Sequence, residues 1–265
     1  MIGRVLAVAG SDSGGGAGIQ ADIKTITVLG GYAMTAVTAV TAQDTHGVHG
    51  VVALPPDFVA LQMRLVLDDI GADVVKTGML VDAATIDAVC DVLERHPGLP
   101  VVVDPVMLAT SGRALLDASG RNRLRTRLLP LTHLLTPNLP EAESLTGMTI
   151  ADANDMREAA RKLLAWVPAV LLKGGHLPGD DLVDILATRE RVVEFSSRRL
   201  VTRHTHGTGC TLASGIAVGL AQGMALPDAV ARAAAYLRAA IAAAPGFGAG
   251  HGPIDHTVKI GECHA

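Results

Sequence analysis

Short apolar runs alternate with amphipathic stretches along most of this chain, and that alternation restricts its fold more than any other feature. Val5–Ala9, Val101–Asp104 and Ala169–Lys173 are rich in valine and leucine and have the length of strands. Between such runs, segments like Ala17–Leu29 and Pro56–Ile70 have the spacing of amphipathic helices. This order predicts an α/β fold, with a mostly parallel central sheet and helices on both faces.

Length and composition favour one domain over residues 1–265, because no shift in composition or Pro/Ser-rich linker divides the chain. Hydrophobic residues make up 49% and charged residues 18%, which provides a large core and argues against disorder. A net charge of −4 without a Lys/Arg run argues against nucleic acid as a partner. The alanine-rich segment 229–244 carries Arg232 and Arg238, so no membrane span is expected there. Three cysteines without metal-type spacing suit a reducing compartment, and we expect a cytoplasmic protein.

Polar residues collect at the predicted C-terminal ends of the strands, which is where parallel sheets bind ligands. These residues are Ser11, Asp12, Gln43, Lys76, Thr77, Asp104, Asn138 and Lys173. The sequence therefore predicts a ligand site at that edge of the sheet.

The segment from Gly207 to Cys210 precedes a run of small apolar residues, which indicates the start of a helix. The first N–H groups of a helix lack internal partners and carry the positive end of its dipole, so they attract anions. Glycines let a phosphate approach the main chain, and a thiol in this turn is expected to have a lowered pKa. The combination indicates phosphoryl transfer to an alcohol, with Cys210 as the base. A purely structural helix start would suit the same residues.

The glycine-rich segment from Gly10 to Gly18 follows the first predicted strand and is expected to contact a ligand. It does not match a dinucleotide fingerprint, because Ile19 occupies the third glycine position, and this disfavours a Rossmann oxidoreductase. It does not match a P-loop either, because Ile23 stands where that motif requires glycine.

Several polar side chains at the strand ends have chemistry that suits a kinase. Gln43 offers a donor and an acceptor side by side, which matches an aminopyrimidine edge, although a solvated loop glutamine would suit the same position. Asn138 and Glu141 are oxygen donors of the kind that hold Mg²⁺-bound water, although the helix dipole alone would also stabilise Glu141. Lys173 could steady a phosphate or could be a surface residue before a turn. The spacing disfavours a metal site at the histidines, which are His46, His49, His204 and His206.

Together these segments resemble the ribokinase-like superfamily and, within it, the hydroxymethylpyrimidine/phosphomethylpyrimidine kinases of thiamine biosynthesis. The matching segments lie in order between residues 5 and 256. They are Ala9–Asp22, Thr41–Gln43, Lys76–Leu80, Asp104–Met107, Thr136–Glu143, Leu172–His176 and His206–Thr211. The resemblance implies a three-layer ribokinase-like sandwich.

The resemblance also implies a role for individual residues. The residues implied to line the pyrimidine site are Gly10, Asp22, Gln43 and Met79. The residues implied to serve the Mg²⁺ and nucleotide-phosphate environment are Asp104, Asn138 and Glu141, the last through water, with Lys173 and Thr208 near the phosphates. The implied anion hole consists of Gly207, Thr208 and Gly209, and Cys210 is the implied catalytic base.

The activity implied by the resemblance is Mg²⁺-dependent transfer of phosphate from ATP to 4-amino-5-hydroxymethyl-2-methylpyrimidine, and then to the monophosphate. A homodimer is the implied assembly. Two alternatives remain, a pyridoxal or pyridoxine kinase and a non-catalytic pyrimidine-binding module. The Asn138/Glu141 pair and the intact anion-hole segment argue against the module. Asp255 stands where the resemblance leads us to expect asparagine or histidine, outside the expected site.

Overall fold

A nine-stranded sheet forms the centre of the molecule. The computed structural model describes residues 2–107 and 115–259. The strands are β1 (Arg4–Asp12), β2 (Tyr32–Gln43), β3 (Val48–Ala53), β4 (Val74–Thr77), β5 (Val101–Val103), β6 (Leu134–Leu135), β7 (Ala169–Leu172), β8 (Asp181–Thr188) and β9 (Val192–Arg198). Their order across the sheet is β3-β2-β1-β4-β5-β6-β7-β8-β9. Strands β2, β1, β4, β5, β6 and β7 are mutually parallel. Strand β3 pairs antiparallel with β2 at one edge, and β8 and then β9 each pair antiparallel with the preceding strand at the other edge.

Helices cover both faces of this sheet. They are α1 (Gly18–Val28), α2 (Pro56–Asp69), α3 (Ala83–Leu93), α4 (Ala118–Arg123), α5 (Leu139–Thr146), α6 (Ala153–Leu163), α7 (Thr208–Ala221) and α8 (Leu226–Ala242). A π-helical turn, Leu124–Leu128, and a 3₁₀ turn, Leu129–Leu131, continue α4. Helices α1, α7 and α8 pack on one face, and α2 to α6 pack on the other.

The alternation of side chains along each strand divides the interior into two cores, because successive strand residues point to opposite faces. Val5 and Val102 pack beneath α7 and α8, while their neighbours Leu6 and Val103 pack beneath α2 and α3. The predicted three-layer α/β sandwich is confirmed.

Every strand and helix predicted from the alternation is present, with ends displaced by a few residues. Strand β3 and the helical segment of α4 are additions that the pattern did not predict. Within the described residues, no helix is long and apolar enough to cross a membrane. Cys90 and Cys210 are free thiols, and Cys263 lies outside the described residues.

Candidate active site

A cavity of about 760 Å³ opens at the C-terminal ends of the parallel strands, at the edge where the sequence placed a ligand site. Its wall brings together most of the residues implied by the resemblance. These are Gly10, Gln43, Met79, Asp104, Asn138, Glu141, Lys173, Gly207, Thr208, Gly209 and Cys210. They come from both halves of the sheet and from the first turn of α7.

Asp22 is the exception among the predicted pyrimidine-site residues. It does not line the cavity, and its side chain is completely buried between α1, β4 and α7. Its Oδ1 accepts hydrogen bonds from Lys76 Nζ at 2.8 Å and from Ser214 Oγ at 2.7 Å. The sequence interpretation of Asp22 as a cavity residue is therefore corrected: this carboxylate joins three elements beneath the site.

Lys76 is the cation of this buried pair, and its side chain has no solvent exposure. Burial favours the neutral amine, but the negative charges of Asp22 and Asp104 outweigh it and raise the pKa of Lys76. Lys76 therefore stays positively charged below the floor of the cavity.

The glycine-rich loop after β1 is organised by the carboxylate of Asp12. Its oxygens accept backbone N–H groups from Gly14 at 2.8 Å, Gly16 at 3.0 Å and Ala17 at 2.8 Å. Oδ2 also lies 2.8 Å from Nε2 of His206. Burial raises the pKa of Asp12, but the bonds from His206 and the loop outweigh it and leave the pKa below its usual value. Asp12 is therefore an ionised, acceptor-only group.

The same loop touches the start of α7 through two glycines. Gly207 has φ = +82°, and a Cβ there would strike the carbonyl oxygen of Gly16. A Cβ on Gly16 would in turn meet Cδ2 of His206 at 2.6 Å. Only glycine allows both the left-handed backbone and this main-chain contact.

The N-terminus of α7 faces the cavity with its backbone N–H groups. Gly207 is the N-cap, and no side chain caps this end among the described residues. The Thr208 N–H donates to the Thr205 carbonyl oxygen at 3.3 Å. The other N–H groups of the first turn and the helix dipole favour a bound anion at this position. The predicted anion-hole residues therefore lie where a phosphoryl group could be held.

Cys210 lies in the first turn of α7, as predicted, but its predicted acidity is wrong. Its position away from bulk water raises the pKa of the thiol to about 11, although Lys76 and a backbone N–H from Gly18 oppose this. Asp22 and Asp104 add to the rise because their negative charges disfavour a thiolate. At neutral pH Cys210 is a thiol, so desolvation and nearby carboxylates outweigh the helix dipole.

An ion pair lies directly beside this turn. Lys173 Nζ donates to Asp104 Oδ1 at 3.0 Å, and both side chains are largely buried. A Cβ on Gly209 would lie 3.3 Å from Asp104 Oδ2 and 3.4 Å from Lys173 Nζ. The pair therefore lies against the helix start, and a side chain at position 209 would require it to shift by a few tenths of an ångström.

Asn138 and Glu141 form a capping box at the start of α5. Asn138 Oδ1 accepts from the Glu141 N–H at 2.9 Å, and Glu141 Oε2 accepts from the Asn138 N–H at 2.8 Å. Burial raises the pKa of Glu141, and Asp104 adds to the rise while Lys173 opposes it. The helix-start role that the sequence left open is therefore present, and the amide oxygen predicted to bind metal already has a backbone partner.

The donor set fits a Mg²⁺ ion held mainly by nucleotide phosphates. Within the described residues, no three His, Cys, Asp or Glu side chains form a metal-binding group. Asp104 and Glu141 are hard oxygen donors with unused lone pairs, and a cation would offset the repulsion between them. Mg²⁺ usually keeps several waters and takes one or two carboxylates, which matches this pair.

Gln43 occupies the opposite wall, where β2 ends. Its backbone is tied to the glycine-rich loop, since the Gln43 N–H donates to Ser13 Oγ at 2.8 Å and Ser13 Oγ donates to the Gln43 carbonyl at 2.9 Å. Its side-chain amide lies between His206 and Thr41. The sequence placed His206 in the matching segment His206–Thr211 and disfavoured it as a metal ligand. Its contact with the Gln43 side chain joins residues 163 positions apart, which no local pattern indicates.

Fold and site together define a class of protein: a ribokinase-like small-molecule kinase, in which a helix N-terminus, a Lys–Asp pair and a thiol face a heterocycle-sized cavity. Within this class of kinases, sequence similarity identifies the family. The profile of the family described as phosphomethylpyrimidine kinase matches residues 12–255, and the chain belongs to that family.

Similar proteins from bacteria support the assignment. The chain is 50% identical over 259 residues to a hydroxymethylpyrimidine/phosphomethylpyrimidine kinase of Streptomyces coelicolor, covering 97% of this chain and 96% of that one. It is 54% identical over 255 residues to the thiamine biosynthesis bifunctional protein ThiED of Geobacter sulfurreducens. That match covers 96% of this chain but only 52% of the longer bifunctional protein.

Solved structures with the same fold include two kinds of vitamin kinase. An ADP complex of Bacillus subtilis pyridoxal kinase superposes with a TM-score of 0.90 at 35% identity, covering 97% of this chain and 98% of that one. Phosphomethylpyrimidine kinase from Clostridium difficile superposes with a TM-score of 0.81 at 38% identity, covering 90% of this chain and 99% of that one.

Proposed function

We propose that this kinase transfers phosphate from ATP to 4-amino-5-hydroxymethyl-2-methylpyrimidine and then to the resulting monophosphate, in thiamine biosynthesis. One observation carries the proposal: Gln43, which suits an aminopyrimidine edge, and the α7 N-terminus with Cys210 line the same cavity. In this proposal Gln43 recognises the heterocycle, and the α7 N-terminus binds the phosphate that is transferred.

The residues around α7 supply positioning and charge stabilisation, which phosphoryl transfer mainly requires. The N–H groups of Gly207 to Cys210 face the phosphoryl group as its negative charge develops. Lys173, near the nucleotide phosphates with Thr208, compensates part of that charge. Mg²⁺ bound with the nucleotide supplies further neutralisation, with Asp104 and Glu141 as its protein partners and Asn138 orienting Glu141.

Cys210 is the proposed base for the alcohol. A thiol with a pKa of about 11 is ionised in only about 10⁻⁴ of molecules at pH 7. The transition state of phosphoryl transfer is loose, so the hydroxyl proton is lost late and little base is needed early. In the second phosphorylation the attacking phosphate is already anionic and needs no such base.

The alternative substrate is pyridoxal, because a pyridoxal kinase superposes with a TM-score of 0.90. ATP turnover should be compared with the pyrimidine alcohol, its monophosphate and pyridoxal. We expect the highest kcat/KM for the pyrimidine alcohol or its phosphate. A higher kcat/KM for pyridoxal would favour a pyridoxal kinase, and the absence of ATP consumption with every heterocycle would favour a non-catalytic binding module.

The pyrimidine contact has its own test. Gln43→Leu should weaken pyrimidine binding about 10-fold or more, because unpaired buried polar groups cost roughly 1–3 kcal/mol. ATP affinity should change little. Calorimetry that finds unaltered pyrimidine binding would remove Gln43 from the site.

We also propose a homodimer in the cytoplasm, with residues 1–265 as one domain. Apolar side chains stand exposed on one face of α2, namely Phe58 at 50%, Leu61 at 40% and Leu65 at 62%. Contiguous exposed apolar surface of this kind often marks a protein interface. Light scattering should find a dimer for the wild type and a monomer for Leu65→Arg; a monomeric wild type would refute the dimer.

A further inference from the structure

The side-chain amide of Gln43 has two polar neighbours in the cavity wall to which the mechanism above assigns no role. Its Nε2 position lies 3.3 Å from Nε2 of His206, and its Oε1 position lies 3.2 Å from Oγ1 of Thr41. Both neighbours line the cavity, together with Asp12. The oxygen and nitrogen of a glutamine amide exchange places by a half-turn, so the neighbours decide which atom lies where.

His206 faces Gln43 with a donor. Nε2 of His206 lies 2.8 Å from Oδ2 of Asp12, and the ionised Asp12 carboxylate can only accept hydrogen bonds. Nε2 must therefore carry a proton. A protonated ring nitrogen has no lone pair for an amide N–H, and its one proton is bonded mainly to Asp12 at 2.8 Å and only weakly shared with the Gln43 atom at 3.3 Å. The carbonyl oxygen of Gln43 is therefore the atom that fits beside His206.

Thr41 faces Gln43 with an acceptor. Its hydroxyl has a single proton, which it donates to the carbonyl oxygen of Ser11 at 3.0 Å. That contact is shorter than the 3.2 Å between Thr41 Oγ1 and Gln43, and with its proton on Ser11 the Thr41 hydroxyl presents a lone pair to Gln43. The Gln43 atom that faces Thr41 is therefore the NH₂ group, and this second neighbour gives the same orientation independently.

We infer that His206, held by Asp12, and Thr41 fix the Gln43 amide in one orientation and so determine which heterocycle edge the site accepts. After these two contacts the amide keeps one N–H and one lone pair, which is what pairing with a ring nitrogen and an exocyclic amine requires. A half-turn would set donor against donor at His206 and acceptor against acceptor at Thr41. His206 and Thr41 are thus positioning residues that act through Gln43.

The inference rests on the proposed function, since it takes Gln43 to be the residue that pairs with the pyrimidine. A fixed Gln43 amide would distinguish the 4-amino pyrimidine from its 4-oxo counterpart, which a Gln43 amide that is free to turn would not. The 4-oxo counterpart of the substrate carries a ring N–H and a carbonyl where the substrate carries a ring nitrogen and an amine. A freely turning glutamine would accept both edges, whereas a fixed amide accepts the 4-amino compound and disfavours the 4-oxo compound.

The test measures dissociation constants for the 4-amino and 4-oxo alcohols by calorimetry, with kcat and KM for the 4-amino alcohol. His206→Leu removes the donor, and His206→Gln retains a side-chain N–H donor at the same position. The matched control is His133→Leu, at an exposed position preceding β6 and remote from the strand ends that form the cavity. We expect His206→Leu to reduce the 4-amino preference about 10-fold or more, which corresponds to about 1.4 kcal/mol.

This loss should raise KM for the 4-amino alcohol more than it changes kcat, and should leave KM for ATP near the wild-type value. His206→Gln should restore most of the preference, and His133→Leu should match the wild type. If His206→Leu fails to fold by circular dichroism, Thr41→Val makes the same test from the other side of the amide. An unchanged preference in the folded variant would overturn the inference while leaving the proposed function intact, whereas a wild type that binds neither pyrimidine would overturn both.

Discussion

Cys210 lies at the position that the sequence predicted for it, but its thiol does not have the lowered pKa that the sequence predicted. The glycine-rich helix start indicated a base and an acidic thiol. The structure places the thiol where the base is needed but gives it a pKa of about 11. Helix dipoles act over one turn and are weak beside desolvation, which is a tertiary property that one sequence does not reveal.

The raised pKa predicts the pH dependence of the first phosphorylation. If the Cys210 thiolate is the base, kcat/KM for the pyrimidine alcohol should rise about 10-fold per pH unit between about pH 7 and pH 9.5, since the thiolate fraction rises at that rate below its pKa. Phosphorylation of the monophosphate should lack this slope. Cys210→Ala should lower alcohol turnover by about 10²–10⁴ and abolish the slope. A Cys210→Ala enzyme with wild-type alcohol turnover would make Cys210 a packing residue.

Among the elements, the strand and helix alternation was predictable because both patterns are local. Strand β3 escaped prediction because Gly50 interrupts its apolar run and because it exists by pairing antiparallel with β2. Helix α4, Ala118–Arg123, escaped because serine, glycine and asparagine have low helix propensity. The placement of the cavity was predictable from the parallel topology, whereas the burial of Asp22 depends on how α1 packs against β4 and α7.

The capping box of α5 allows the structural and catalytic roles of Glu141 to be separated. Glu141→Gln keeps an acceptor for the Asn138 N–H and should leave the free energy of unfolding nearly unchanged. Glu141→Ala loses the cap and should reduce it by about 1 kcal/mol. If Glu141 also serves Mg²⁺, both variants should need more Mg²⁺ for half-maximal activity.

Urea denaturation and Mg²⁺ titrations of the two variants measure these effects. A Mg²⁺ titration of Glu141→Gln that coincides with the wild-type curve would leave Glu141 a capping residue alone.

At the scale of the whole molecule, the Lys76–Asp22 pair joins the sheet to two helices of one layer. Lys76→Met should reduce the free energy of unfolding by roughly 3–5 kcal/mol, because it leaves the Asp22 charge buried without a partner. The double variant Lys76→Met/Asp22→Asn removes both charges and keeps an acceptor for Ser214, so it should recover much of the loss. Urea denaturation measures both, and a stable Lys76→Met single variant would mean that Asp22 is protonated in the folded protein.

The main-chain contact between Gly16 and Gly207 has a thermodynamic consequence. One glycine belongs to the loop beside the pyrimidine site and the other to the turn that receives phosphate, so a ligand that orders either segment restrains both. We therefore expect positive cooperativity between the pyrimidine and a non-hydrolysable ATP analogue, measured by calorimetry with and without the other ligand. The effect must be reciprocal: the nucleotide tightens pyrimidine binding by the same factor by which the pyrimidine tightens nucleotide binding.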